Sequence, residues 1–335
     1  MIASVIIPTY KRSALICKTL NSLLGQDYPK KDFEVIVIDN NSPDDTEDVL
    51  RAYINNHHGQ VNLRYAKELR QGDGYARNSG AAIARGEYLL FCDDDSLFDT
   101  NWISCMVGIL DMYPTVAMIG SRILIKWDEQ PASWVHNYEY LLGKSTHGSS
   151  GYIISSEGFS IANGSLGVRR NVFYQVGGNN PGQIGEYLVG NAEVGLFHKI
   201  KALGYPVAFT DDTTMWHMQT RAKNGTMKDL IRRMENCSIS DAYTDVVERG
   251  LTDFRNINKA RKKMLLCLIR MKRTQLRAAY FEYRGALKYN EWIVKYQDKE
   301  FLKSIEVKDH ALGPEYLAPE ILFSTEYTYI RNGSN

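Results

Sequence analysis

An apolar run at residues 87–92 (EYLLFC) leads straight into Asp93-Asp94-Asp95. Three adjacent carboxylates repel one another, so a hydrophobic strand ending on them is costly unless a cation or a cage of hydrogen bonds compensates. A hard divalent ion such as Mg²⁺ or Mn²⁺ suits oxygen ligands, and is commonly held by one or two carboxylates together with the phosphates of a substrate. The same triplet also reads as a solvated acidic turn that caps a helix starting near Trp102. Spacing alone leaves both readings open.

The elements around the triplet decide what can meet it. Residues 3–7 (ASVII), stopped by Pro8, read as a buried strand, and Ile16, Leu20, Leu23 and Leu24 recur at the spacing of one helical side. Residues 33–38 (FEVIVI) form a second strand, followed by turn and capping chemistry at Asn41-Ser42-Pro43-Asp44. A third strand near 62–66, a helix near 74–84 and a fourth strand at 87–92 complete a βαβαβαβ order. That order predicts an α/β fold with a mostly parallel sheet flanked by helices, whose ligands sit beyond the carboxyl ends of the strands. Thr9 and Arg12 follow the first strand, Asp39 ends the second, and the aspartates end the fourth, so three strand ends predict one site. Further helices are expected at 102–113 and 194–203, a last strand at VAFT (207–210), and a mainly helical region over 226–335.

Composition narrows the function classes. The 335 residues are 44% hydrophobic, enough for a sizeable core, and 40 basic against 39 acidic residues give no overall argument for nucleic-acid binding. Five scattered cysteines without a CxxC pair indicate neither a disulfide framework nor a zinc ribbon. The N-terminus lacks a signal-peptide pattern, and no apolar stretch reaches about 18 residues. A cytoplasmic chain that does not span a membrane is expected. The loop after the first strand, PTYKR, contains no glycine, which argues against a dinucleotide-dependent dehydrogenase and against a nucleotidyltransferase with a glycine-rich phosphate loop.

Several segments in order resemble glycosyltransferase family 2, whose members have the GT-A fold. These are VIIPTYKR (5–12), VIVIDNNSPDDT (35–46) and GYARNSGAAIARGEYLLFCDDD (74–95), then Ala162-Asn163-Gly164 with Arg169 and Arg170, Val176-Gly177-Gly178, Asn191-Ala192-Glu193, Leu203-Gly204-Tyr205 and Met215-Trp216-His217. The resemblance implies a nucleotide-sugar-binding half at 1–99 and an acceptor-binding half at 100–225, and the mainly helical C-terminal extension at 226–335 lies outside it. It further implies that Asp39 accepts a hydrogen bond from a uracil base within a loop of Pro8, Thr9, Tyr10 and Arg12. Arg77, Asp93 at the ribose, Asp94 and Asn163 join the nucleotide-sugar contacts, while Asn78 braces the loop. Asp95 is the metal ligand and His217 completes the metal shell, for Mn²⁺ or Mg²⁺.

The activity implied is inverting transfer of a sugar from a UDP-sugar to a hydroxyl of a saccharide or lipid-linked saccharide, as in surface polysaccharide or glycolipid synthesis. Transfer to a protein or small metabolite, and a nucleotide-sugar-binding protein without catalysis, are the alternatives. The family's usual Glu-Asp pair for the catalytic base is replaced here by Ala192 and Glu193, which makes Glu193 the expected base and Glu186 the alternative. Beyond the resemblance, residues 255–277 hold nine Lys or Arg and no acid. Their apolar neighbours at 259–277 fit either peripheral contact with an anionic membrane, at the inner face of the cell membrane, or a helix packed on the catalytic domain.

Overall fold

The first strand, β1 (Ala3–Thr9), sends Val5 and Ile7 to one face of a sheet and Ile6 to the other, the period-two alternation of a strand buried on both sides. The computed structural model describes residues 1–325 except 58, 149–150, 157–160, 163, 181–182, 185–186, 189–191, 305–311, 313–315 and 317; at 183–184, 187–188, 192–193, 248 and 304 it describes the backbone alone. β1 pairs in parallel with β2 (Phe33–Asp39) and with β4 (Tyr88–Cys92), and β3 (Asn62–Lys67) extends the parallel ladder from β2. Helices α1 (Ser13–Leu24) and α2 (Thr46–Asn56) cover the Val5 face through Ile16, Leu20, Leu23 and Leu50. Helix α3 (Asp73–Ile83) covers the Ile6 face through Ala76 and Ala81. Each Val, Ile or Leu side chain contributes about 1.5–3 kcal/mol on full burial and each alanine methyl less, so these two layers fix the register of the strands whose ends build the site.

The second half adds β5 (Ser96–Phe98), α4 (Trp102–Met112), β6 (Met118–Trp127), β7 (Tyr152–Ser155), β8 (Ser165–Arg169), α5 (Arg170–Gln175), a short hairpin of β9 (Gln183–Ile184) and β10 (Tyr187–Leu188), α6 (Ala192–Ala202) and β11 (Val207–Gln219). The sheet has the order β12-β3-β2-β1-β4-β8-β6-β11-β5, with β7 also on β11; β12 (Ile321–Ser324) comes from near the C-terminus. β8 runs antiparallel between β4 and β6, and β11 is parallel to β6. The C-terminal region supplies α7 (Arg221–Asn224), α8 (Met227–Tyr243), α9 (Ile257–Ile269), α10 (Arg273–Gln297) and α11 (Lys299–Ser304). A cluster of Trp127, Val135, Tyr138, Leu142, Leu230 and Phe281 locks α8 and α10 onto β6 and a 3₁₀ segment, Ser133–Leu142. Region 226–335 thus includes a strand, since β12 closes the β3 edge in antiparallel register, Ile321 opposite Ala66 and Ser324 opposite Arg64.

Two expectations about the strands change. Pro8 does not stop β1: the ladder to β4 ends at Ile6 opposite Phe91, while the ladder to β2 continues through Pro8 opposite Ile38 and Thr9 opposite Asp39. A proline has no N–H for a two-sided ladder, so it sits where one neighbour has already left. Likewise the last strand does not end at Thr210. It passes a register shift between Thr210 and Thr214 and runs on to Gln219 beside β6. A bulge carrying Asp211 and Asp212 interrupts the apolar pattern, which is why the polar stretch reads from sequence as a loop.

Candidate functional site

The aspartate triplet divides its labour. Asp94 turns inward, where its Oδ2 accepts the Thr9 hydroxyl at 2.6 Å and its Oδ1 the Arg12 guanidinium at 2.8 Å, while its carbonyl accepts Thr19 Oγ1 at 2.8 Å. These bonds splice the ends of β1 and β4 just past the point where their ladder stops. Arg12 also donates to Asp95. Burial pushes the Asp94 carboxyl up to about 6, against the pull of Arg12 and with Asp95 adding to the rise. Asp94 was expected among the nucleotide-sugar contacts, and the structure commits both its oxygens to the loop.

Asp93 and Asp95 each bring one carboxylate oxygen toward His217. Arg77, on α3, is buried beneath Asp93 and donates to it at 2.6 Å and to Asp73 at 2.8 Å. What brings Arg77 so close is Gly80, one turn on: a Cβ there would lie 2.3 Å from Ile6 Cγ2, so only glycine lets α3 sit down on β1. On the opposite side Gly164 leaves room for the turn, since a Cβ at that position would meet Met215 Cε at 2.3 Å and Asp93 Oδ2 at 3.1 Å. Arg77 thus holds Asp93 in place from below.

His217 reaches the aspartates by strand register. β11 pairs antiparallel with β5, His217 opposite Ser96, and Met218 N donates to the Asp95 carbonyl at 2.8 Å. The imidazole Nδ1 lies 2.8 Å from the Leu142 carbonyl, so it carries the proton. Gln219 Oε1 accepts from Asn224 at 2.5 Å, which leaves its amide nitrogen to donate to His217 Nε2 at 2.8 Å. Nε2 is therefore a lone pair in the neutral ring, and it faces Asp95 Oδ1 at 3.2 Å. That oxygen is buried and receives no hydrogen bond from the described residues. One ligand atom each from Asp93, Asp95 and His217 lies within 4.8 Å of the others. Two carboxylates and an imidazole whose second nitrogen is anchored on a carbonyl fit a divalent ion of the Mn²⁺ or Mg²⁺ type.

Burial opposes a charged imidazole here, but Asp95, Asp93 and the Leu142 carbonyl outweigh it and raise the His217 pKa above its ordinary 6.5. Asp95, also opposed by burial, is held below its ordinary value by His217 and Arg12. An ion at Nε2 displaces the Gln219 amide from the neutral ring and competes with the proton of the charged one. Mn²⁺ affinity measured by calorimetry is therefore expected to rise as pH climbs through and above the ordinary histidine range, with proton release, and His217→Gln is expected to flatten that dependence. In chelated protein the sign reverses. A raised histidine pKa contributes stability below its unfolded value that is lost as pH rises through the folded one, so the melting temperature should fall over the same interval.

The other predicted residues fall around this centre. Asp39 is fully buried beside Thr9, with Oδ1 accepting the Ser42 N–H at 2.9 Å and Oδ2 the Tyr65 hydroxyl at 2.8 Å. Lys11, at φ +55, donates its N–H to Ser42 Oγ at 3.0 Å and so ties the β1 loop to the β2 loop, while Tyr10 stands exposed beside it. Asn78, expected to brace the nucleotide loop, instead holds the loop at Asn179, exchanging two hydrogen bonds with its backbone at 2.8 and 3.1 Å. Asn163 and Glu186 lie outside the described residues, as does the side chain of Glu193, whose backbone enters the first turn of α6.

Sequence reasoning missed one wall of the site. A cleft of about 520 Å³ runs from Arg12 and Asp95 to Lys223, Asn224, Arg232 and Arg233. A capping box between Thr226 and Asp229 starts α8 and sets its two arginines in the second turn, toward the cleft. Arg233 is half-buried with a neutral acceptor, Asn224 Oδ1 at 3.2 Å, and burial together with Arg232 lowers its pKa. A cation so placed favours an anionic ligand. The signal available in sequence was the Arg-Arg pair after a capping box, outside every recognised segment.

The glycosyl transferase family 2 model matches residues 4–177. Poly(ribitol-phosphate) beta-N-acetylglucosaminyltransferase TarS of Staphylococcus aureus is 36% identical over 110 residues, 32% of this chain and 18% of that protein. The GalNAc(5)-diNAcBac-PP-undecaprenol beta-1,3-glucosyltransferase of Campylobacter jejuni is 37% identical over 92 residues, 28% of this chain and 29% of that one. The matched stretches thus span under a third of either relative. Among solved structures, mannosyltransferase PcManGT from Pyrobaculum calidifontis, in complex with GDP-Man and Mn²⁺, superposes with a TM-score of 0.58 over 87% of both chains at 19% identity. That likeness is one of fold, and at 87% of the chain it reaches past the GT-A region into the C-terminal helices. With the family model covering more than half of its length, the chain belongs to glycosyl transferase family 2.

Proposed function

We propose that the chain is an inverting glycosyltransferase that moves a sugar from a UDP-sugar to a hydroxyl acceptor with Mn²⁺ or Mg²⁺ as cofactor, in the assembly of a surface polysaccharide or glycolipid. One observation carries this reading. Asp93, Asp95 and the lone pair of His217 converge within 4.8 Å, at the end of a cleft lined by Arg12, Lys223, Arg232 and Arg233. The first group suits a divalent ion, and the second suits the diphosphate that such an ion accompanies. When bound, the ion supplies Lewis-acid stabilisation of the charge that grows on the departing diphosphate.

The chain's own residues do the remaining work. Arg12 and Arg233 add positive charge along the diphosphate, and Asp39, whose carboxylate has lone pairs beyond those given to Ser42 and Tyr65, accepts a base N–H. In the transfer, a bond forms from the acceptor oxygen to the anomeric carbon as the bond to the diphosphate oxygen breaks. The electron pair leaves with the diphosphate, and the acceptor's proton goes to Glu193, with Glu186 as the alternative base. The acceptor class is supported by the relatives, whose names place poly(ribitol-phosphate) and a saccharide on PP-undecaprenol as their substrates.

A thermal-shift screen of UDP- and GDP-sugars, each with Mn²⁺ or with chelator, tests the donor. A UDP-sugar is expected to raise the melting temperature only with metal, by an amount equivalent to about 2.7 kcal/mol at 100 times its Kd. Stabilisation by GDP-sugars instead would overturn the role given to Asp39. No response to any nucleotide sugar would contradict the function.

A further inference from the structure

The two helices that follow the catalytic region form a hairpin whose tip is unlike the rest of the surface. α9 lies against α10 with Ala260 and Cys267 buried, and a groove of about 640 Å³ lined by Leu266, Cys267, Arg270 and Ala278 opens between the two helices. The exposed end of α9 is not polar. Leu265, Leu266, Leu268 and Ile269 occupy the last turn and a half and are 43–68% exposed, and Met271, in the turn to α10, is 85% exposed. Met271 also holds φ +52, a left-handed conformation that an L residue with a long side chain adopts at a cost. A solvent-facing turn would normally place Gly or Asn there; here a strained backbone presents a methionine to the outside.

Charge surrounds this apolar tip. Arg261, Lys262, Arg270, Lys272, Arg273 and Arg277 lie within about two turns of it, and residues 255–277 contain no acid. Three cations of the run are drawn aside: Lys263 into an ion pair with Glu282 of α10 at 2.5 Å, Arg255 onto Asp241 at 2.7 Å, and Arg277 over the ring of Trp134 at 4.6 Å. The combination selects among occupants. A second copy of the same face would set cation against cation, and a soluble polyanion would have no use for five exposed aliphatic side chains. No described helix is long and apolar enough to cross a membrane. An anionic lipid surface satisfies both halves of the pattern, because aliphatic tips enter the acyl boundary while Lys and Arg stay at the headgroups.

We infer that the α9–α10 tip is a peripheral docking surface for anionic phospholipid, with Leu265, Leu268, Ile269 and Met271 as the inserted residues and Lys262, Arg270, Lys272 and Arg273 as headgroup contacts. The inference does not depend on the transferase reading, since none of these residues lines the metal centre or the cleft beside it.

Vesicle sedimentation of the full chain tests it, with vesicles of phosphatidylcholine alone or containing phosphatidylglycerol. Binding is expected to require phosphatidylglycerol, to weaken with salt, and to fall at least about tenfold in Ile269→Ser/Met271→Ser and in Lys262→Glu/Arg270→Glu. These side chains are exposed, so Mn²⁺-dependent nucleotide binding should stay as in the parent, which shows that the variants are folded. The proposal is overturned by absence of sedimentation at low salt, or by loss in the charge variant alone while the serine variant binds normally. The latter result would mean attraction by charge without insertion, the behaviour of a polyanion site.

Discussion

Replacing Asp95 by alanine is expected to lower turnover by about 10³-fold and to abolish the dependence of nucleotide binding on Mn²⁺. Asp95 carries the most buried carboxylate of the cluster with Asp93 and His217, and its Oδ1 has no donor among the described residues. Removal of one group that stabilises charge in a transition state costs about 10²–10³ in rate, and loss of an ion's principal ligand belongs at or above the upper end. The fold should survive. Arg12 keeps its bond to Asp94, the repulsion among three aspartates is relieved, and His217 loses the partner that raises its pKa. Metal-free Asp95→Ala should therefore melt close to the parent, while added Mn²⁺ no longer raises its melting temperature. A variant that loses activity because it unfolds would show the opposite pattern.

The second large effect is expected at Glu193. If its carboxylate takes the acceptor proton, Glu193→Gln should lower kcat by about 10²–10⁴ and leave Mn²⁺-dependent donor binding intact, because the amide keeps the shape and loses the basicity. A role confined to the helix predicts something else. Glu193 sits in the first turn of α6, where a negative charge favours the helix by about 0.3–1 kcal/mol, and that contribution would appear as a small fall in melting temperature with turnover retained. Steady-state kinetics on Glu193→Gln and Glu186→Gln separates the cases. Normal turnover in the first with loss in the second would move the base, and normal turnover in both would remove carboxylate catalysis from this segment.

How far the sequence reaches can be seen residue by residue. The strands and helices of the first hundred residues follow from hydrophobic period, and their order places Thr9, Arg12 and the aspartates at one sheet edge, where the structure joins them. What period cannot show is which strand lies next to which. The extension of β1 through Pro8 depends on β4 having already departed, and the extension of β11 past its bulge depends on β6 and β5 as partners. His217 is assigned from sequence by resemblance alone. The physical route, Ser96 opposite His217, is a pairing between segments more than a hundred residues apart.

The features that were illegible share this character. The Leu142 carbonyl that sets the His217 tautomer has no side-chain identity to read, and Gln219 and Asn224 look like ordinary polar residues until they meet the ring. Arg233 reaches the cleft because an aromatic and aliphatic cluster around Trp127 and Phe281 fastens α8 to the sheet. Asp94 shows the converse. Its type and position suggest a ligand, and only the geometry reveals that it splices two strand ends while Asp93 and Asp95 gather with His217.

The central claim is that Asp93, Asp95 and His217 hold a divalent ion through which a nucleoside diphosphate binds. Calorimetric titration of UDP into the full chain, with Mn²⁺ and then with chelator, tests it most directly. The account predicts saturable binding at one site with Mn²⁺, at least about tenfold weaker with chelator, and no effect of Mn²⁺ in Asp95→Ala. Equal UDP affinity with and without the ion would contradict it.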